Sequence, residues 1–160
     1  MIYTKSGDEG YSSVIDKKNI KKDNSIFVLL GDLDELGAHL GVCKYKSHSV
    51  ADKISSLQED LIKLASWVSG YGEFDAKGSV ANFEVVIDTI ENAISLPKYI
   101  IQNGTNEKSA YIDLCRAVAR RCERSAVTFC TEYQFDNSLL IYLNRLSDYL
   151  FVLARYVEQI

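Results

Sequence analysis

Apolar residues recur at three- and four-residue intervals through most of the chain, and the breaks between these runs hold most of its nine glycines and its single proline. Ile26, Phe27, Leu29, Leu30, Leu33, Leu36, Leu40 and Val42 predict a helix from Ser25 to about Lys46. Ile54, Leu57, Leu61, Leu64, Ala65 and Val68 predict a second from Ser49 to about Ser69. Residues 69–82 carry three glycines and lose the period, so they are expected as a loop. A third helix, from Phe83 to about Ser95, turns Val86, Ile87, Ile90, Ala93 and Ile94 inward. Residues 96–105, punctuated by Pro97 and by Asn103-Gly104, form a non-helical connector, and connectors of this length inside a domain tend to be functional. Two further helices follow, Asn106–Glu132 and Asn137–Ile160. Five helices without a convincing strand predict an all-α antiparallel bundle.

The fourth helix has the unusual surface. At about 100° per residue, Arg116, Arg120 and Glu123 share one stripe with Arg124 beside it, while Leu114, Val118, Cys122 and Ala126 look toward the core. A solvated helix usually alternates acid and base four residues apart. Here guanidinium repeats at that spacing, which is repulsive unless an anion or a partner carboxylate lies between. The last helix is apolar almost all round, as befits a central helix or an oligomer interface. Within it Asn144 and Asp148 share a face, and Arg145 and Arg155 add charge. A buried asparagine needs a partner, so Asn144 is aimed at a ligand or at a neighbouring helix.

Residues 1–25 show no helical period. They combine glycines three apart, hydroxyls at Thr4, Ser6, Ser12 and Ser13, and lysines at 5, 17, 18, 21 and 22. Backbone N–H groups freed by glycine, together with hydroxyl and ammonium donors, are the chemistry of phosphate cradling. The spacing is not that of a P-loop. A disordered polar tail is the plainer alternative.

A chain of 160 residues with 47% apolar content is read as one domain, with residues 26–160 as bundle. Its net charge of −4 disfavours generic nucleic-acid binding, so any anion site must be local. The four cysteines contain no CxxC pair and fit neither a zinc site nor a disulfide scaffold. With no apolar run of membrane-spanning length and no leader pattern, a cytoplasmic protein free of membrane is expected.

Taken together, TKSGDEGYSS at 4–13, GDLDEL at 31–36, RAVARRCER at 116–124 and YLNRLSDYLFVLAR at 142–155 resemble the PduO-type ATP:cob(I)alamin adenosyltransferases. The resemblance covers nearly the whole chain. It implies a five-helix bundle assembled as a homotrimer with active sites between subunits. The implied reaction transfers the 5′-deoxyadenosyl group of ATP to the cobalt of cob(I)alamin, with Mg²⁺ carried on the phosphates and triphosphate released. The implied partners are a cob(II)alamin reductase and an enzyme that uses adenosylcobalamin.

The same resemblance implies roles for particular residues. Thr4, Lys5, Ser6, Gly7, Ser12, Ser13 and Lys22 match a loop folded over the triphosphate. Arg120, Arg121, Glu123 and Arg124 match the block that holds ATP, and Asn144 completes that pocket. Lys5, Arg120, Glu123 and Asn144 form the catalytic set. Arg116 and Asp34 resemble a salt bridge across the subunit interface beside the corrinoid, and Tyr99 stands where a phenylalanine usually occupies the lower face of cobalt. Departures gather on the corrinoid side: Tyr99 itself, Gln102-Asn103-Gly104 in place of Pro-Gly-Gly, and Gly37 where asparagine or serine often follows the acidic block. They leave room for an alternative, a non-catalytic carrier or sensor that binds ATP or corrinoid on the same fold.

Overall fold

A computed structural model describes residues 2–160; Met1, the first residue of the expected N-terminal loop, lies outside the described residues. The helices are α1 (Ser25–Lys46), α2 (Ala51–Val68), α3 (Ala76–Ala93), α4 (Glu107–Tyr133) and α5 (Ser138–Gln159), with a 3₁₀ turn at His48–Val50. No helix among the described residues is long and apolar enough to cross a membrane.

Helices α1, α3 and α4 begin where the side chain of the preceding residue satisfies one of their first free N–H groups. The Asn24 side chain accepts from the Ile26 N–H, and Asn106 and Ser109 form a reciprocal capping box. Asp75 accepts from the Gly78 N–H at 2.9 Å, so α3 starts at Ala76 rather than at the expected Phe83. A Cβ at Gly78 would meet Asp75 Oδ2 at 2.2 Å, so this glycine belongs to the cap rather than to a loop.

The ends of the helices show how they run. Asn24 Nδ2 donates to Glu132 Oε1 at 3.0 Å, and the Tyr133 hydroxyl donates to Asn24 Oδ1 at 2.8 Å, so the start of α1 meets the end of α4. At the other end Lys46 Nζ donates to Glu107 Oε1 at 2.9 Å. Helices α1 and α4 are therefore antiparallel, and α5 runs back along α4 to bring Arg155 beside Asp113. Leu29, Leu33, Leu36 and Leu40 of α1, Ile54, Leu57 and Leu64 of α2, and Leu139, Leu143, Leu146 and Leu150 of α5 are buried. Each such side chain contributes about 1.5–3 kcal/mol by leaving water. Leu114, expected in the core, is 44% exposed, because the buried arc of α4 passes through Cys115, Val118, Ala119 and Cys122 instead.

The absence of strands is corrected. Residues Tyr11–Val14 (β1) and Lys17–Lys21 (β2) pair antiparallel, with Tyr11 opposite Lys21, Ser12 opposite Ile20, and a bulge between Ser12 and Val14. Four or five mostly polar residues per strand are too few for period-two alternation to stand out. The hairpin docks at the end of the bundle where α2 and α4 finish. Its Ile15 N–H donates to the Ser69 carbonyl at 3.4 Å, and Lys17 Nζ sits 3.8 Å from the centre of the Tyr133 ring. The connector at 96–105 is non-helical, as the sequence predicts, and lies at the opposite end, beside the start of α4 and the end of α5. The 27 residues of α4 separate the two ends by about 40 Å.

Candidate functional site

The N-terminal loop is folded on itself. Lys22 Nζ donates to the Gly7 carbonyl at 2.8 Å, and the Lys22 N–H donates to the Gly10 carbonyl at 2.9 Å, tying the loop to the foot of β2. Thr4 and Ser6 share a hydroxyl hydrogen bond of 2.7 Å, and Ser13 Oγ accepts from the Asn19 N–H. Lys5 takes a left-handed φ of 62°, a conformation that costs a non-glycine residue about 1–2 kcal/mol. Ser6, Gly7, Tyr11, Ser12, Ser13 and Asn19 line a polar recess of about 280 Å³, which is wide enough for phosphate groups and rich in donors.

The second group lies on α4 and α5. Asn144 Nδ2 donates to Glu123 Oε1 at 2.9 Å, which fixes the amide and leaves the carboxylate oriented. Arg124 Nη1 donates to the Arg120 carbonyl at 3.0 Å. Arg120 is exposed, and among the described residues its guanidinium enters no ion pair. Its neighbour Arg121 is engaged by α1: Nε donates to Asp32 Oδ1 at 3.0 Å, and Nη2 pairs with Glu35, while Ser125 also donates to Asp32. Arg121 and Arg124 border a recess of about 450 Å³ that extends toward Asn24 and Glu132. On the core side of the helix, burial first and the nearby Asp32 charge second push the Cys122 thiol up to about 12, so it stays a neutral packing group.

The expected corrinoid-side residues are spread further. Asp34 is exposed on α1, at the edge of an apolar groove of about 310 Å³ between α1 and α2 that includes Leu30, Leu33, Leu61 and Ile62. Gly37 lies in the same groove, its carbonyl accepting from Gln58 Nε2 at 3.0 Å. Arg116 reaches toward the connector: Nη2 donates to Asn103 Oδ1 at 3.4 Å, and Nε lies 3.5 Å from Asp113 Oδ1. Tyr99 is 83% exposed.

Within one chain, then, the structure brings Glu123 and Asn144 together beside Arg120, and Thr4, Ser6, Gly7 and Lys22 together in the loop. Among the described residues no side-chain hydrogen bond or ion pair joins these two groups, or joins Asp34 to Arg116. The sequence reading missed Asp32 and Glu35 as the brace for Arg121, and Asp113 with Glu158 as partners of Arg155. The one available signal was an arginine at position 155 in an otherwise apolar helix, which requires a buried acid nearby.

A family model described as cobalamin adenosyltransferase matches residues 2–157. The corrinoid adenosyltransferase MMAB of Bos taurus is 33% identical over 97% of this chain and 70% of its own. The cobalamin adenosyltransferase of Cupriavidus metallidurans is 32% identical over 99% of this chain and 88% of its own. Among solved structures, a variant PduO-type ATP:corrinoid adenosyltransferase from Lactobacillus reuteri, complexed with cobalamin and ATP, superposes with a TM-score of 0.94 at 28% identity, covering 99% of this chain and 94% of that one. With a family match from end to end and relatives above 30% identity over almost its full length, this chain belongs to the cobalamin adenosyltransferase family.

Proposed function

We propose that this chain is an ATP:corrinoid adenosyltransferase that forms adenosylcobalamin and releases triphosphate. The observation that carries the reading is Arg120: exposed and, among the described residues, without a carboxylate partner, beside an Asn144–Glu123 pair whose geometry is already set. Such an arginine keeps its donors for an anionic ligand. The Lactobacillus reuteri relative complexed with cobalamin and ATP supports both substrates.

The electron pair on cobalt(I) attacks C5′ of ATP and becomes the cobalt–carbon bond, while the bond from C5′ to oxygen breaks and triphosphate leaves with the pair of that broken bond. No general base is required. What the protein supplies is alignment of C5′ with cobalt and neutralisation of the charge growing on the leaving group. Arg120 and Lys5 serve that charge, together with Mg²⁺ held through the phosphate oxygens. Glu123 and Asn144 orient the nucleoside end, and the recess lined by Ser6, Gly7, Ser12 and Ser13 receives phosphate. Tyr99 sits on the lower face of the corrinoid, displacing its axial ligand so that cobalt is more easily reduced; its hydroxyl must keep water or a polar partner.

Because among the described residues no side-chain hydrogen bond or ion pair joins the phosphate loop to Arg120, Glu123 and Asn144 within one chain, we assign the complete site to adjoining subunits of a homotrimer. Asp34, at the edge of an apolar groove, then meets Arg116 of another copy. A cob(II)alamin reductase upstream and an adenosylcobalamin-dependent enzyme downstream complete the expected setting.

The test is anaerobic mixing of the purified protein with chemically reduced cobalamin and Mg-ATP, following the cob(I) spectrum and identifying the phosphate product. Adenosylcobalamin with intact triphosphate is the expected result. ATP binding with no corrinoid product would overturn it in favour of a carrier or sensor.

A further inference from the structure

We propose that Asp113 and Arg155 are positioning residues for the corrinoid: a buried ion pair that clamps the connector carrying Tyr99. The inference rests on the adenosyltransferase reading for its substrate, but its structural part stands on the geometry of the connector alone.

Residues 96–105 have no regular structure, and among the described residues no backbone-to-backbone hydrogen bond holds them. Their polar attachments are made by side chains instead, and these converge on one cluster. The Gly104 N–H points at Asp113 Oδ2 at 3.4 Å. Asn103 Oδ1 accepts from Arg116 Nη2, and Arg116 Nε lies 3.5 Å from the other Asp113 oxygen. Thr105 Oγ1 donates to Glu158. Arg155 joins these attachments: its Nη2 donates to Asp113 Oδ2 at 2.7 Å and to Glu158 Oε1 at 3.0 Å, and its Nε lies 2.9 Å from Glu158 Oε2. The last three residues of the connector are thus each tied to a member of one four-charge group.

Two acids and two arginines balance, as buried charges must. At 3% and 2% exposure, however, Asp113 and Arg155 are desolvated at a cost their attraction barely offsets, and pairs of this kind can often be exchanged for apolar residues without loss of stability. Stability alone does not explain them. Fixing a segment that has no hydrogen-bonded backbone of its own does. Tyr99 lies five residues before Gly104 on that segment and is exposed, so its placement depends on how firmly the end of the segment is held. An error of about 1 Å in placing a group against a reacting centre can cost about 100-fold in rate.

The experiment uses the double variant Asp113→Leu/Arg155→Met, which keeps the interior filled and leaves no unpaired buried charge. Three readouts are compared with the unaltered protein: the dissociation constant for Mg-ATP, the KM for the corrinoid, and the spectrum of four-coordinate cob(II)alamin formed with ATP present. Expected are an ATP affinity within about twofold, a corrinoid KM raised about tenfold or more, and a smaller four-coordinate fraction. Trypsin should also cut after Lys98 faster in the variant without any ligand, a readout independent of the chemistry. An unchanged corrinoid KM and spectrum, or a parallel loss of ATP and corrinoid affinity that marks general loosening, would overturn the clamp. If the unaltered protein makes no adenosylcobalamin, the adenosyltransferase reading fails, while the rate of cleavage at Lys98 still decides whether the pair holds the connector. Should the double variant not fold, Thr105→Val and Asn103→Ala, which each remove one exposed link, decide the matter by the same measurements.

Discussion

The hairpin that carries Ser12 and Ser13 is held against the bundle at one tight place, which a single methyl group can probe. Gly70 has φ +86°, and a Cβ added there would lie 2.4 Å from Ile15 Cγ2 in the hairpin turn. Ile15 is β-branched and stiff about its first side-chain torsion, so it cannot swing its methyl aside cheaply. To restore ordinary contact near 3.4 Å, the turn must retreat by about 1 Å. Gly72 provides the control: it has φ +70° and nothing within 4 Å of its would-be Cβ. Alanine at either position suffers the same left-handed backbone penalty of about 1–2 kcal/mol. For a chain of this size each kcal/mol lowers Tm by about 2–4 °C, so both variants should melt a few degrees early. Only Gly70→Ala also moves the hairpin. Titration calorimetry with Mg-ATP should therefore find affinity weakened about tenfold for Gly70→Ala, nearly unchanged for Gly72→Ala, and largely restored in Gly70→Ala/Ile15→Ala. Equal ATP affinities for the two single variants would refute the idea that this contact positions the phosphate loop.

Arg120→Ala should lower ATP affinity and reduce kcat about 10²–10³-fold, whereas Arg121→Ala, which frees Asp32 and Glu35, should cost below about 1 kcal/mol of stability in a urea melt. Asp34→Asn should raise the KM for the corrinoid more than that for ATP; unaltered steady-state kinetics would remove Asp34 from the subunit interface. Burial raises the Asp60 carboxyl above its ordinary 3.8, with the Ser79 hydrogen bond and Lys63 opposing. The folded state thus holds this proton more tightly than the unfolded chain, so its contribution is present at low pH and is lost as pH climbs from 3.8 through the raised value. Asp60→Asn should accordingly raise Tm at pH 7 and flatten that stretch of the stability profile. All four cysteines are buried, so a bulky aromatic disulfide at pH 8 should label none of them until denaturant is added.

The helices were legible because each buries a continuous apolar arc, and the connector because Pro97 and Asn103-Gly104 interrupt that arc. The hairpin was not legible, since its strands owe their pairing to the docking of Ile15 and Lys17 on residues more than fifty positions away. The start of α3 was hidden for a different reason: Asp75 caps the helix through Gly78, and a glycine in a polar run reads as loop. Arg120, Glu123 and Asn144 could be singled out because their spacing puts them on one exposed face. Arg121 differs from Arg120 only by a 100° rotation about the helix, which turns it to Asp32 and Glu35; the sequence places all four arginines in one cluster and does not say which carboxylates claim which. The corrinoid-side network was least visible, because Asp113, Arg155 and Glu158 come from two helices and act on a segment without a pattern.

The hairpin and the connector occupy opposite ends of α4, about 40 Å apart along one helix. Within one chain, sites so far apart that share no partner behave independently, so the stability changes caused by substitutions at the two ends should simply add. The chain can therefore accumulate differences around Tyr99 without loosening the fold of the loop that holds Lys5, as a lever can be reshaped at one end while its far end stays bolted. Any departure from additivity that emerges only with both substrates bound would belong to the nucleotide and the corrinoid meeting across the gap, and its size would measure how strongly each substrate organises the site for the other.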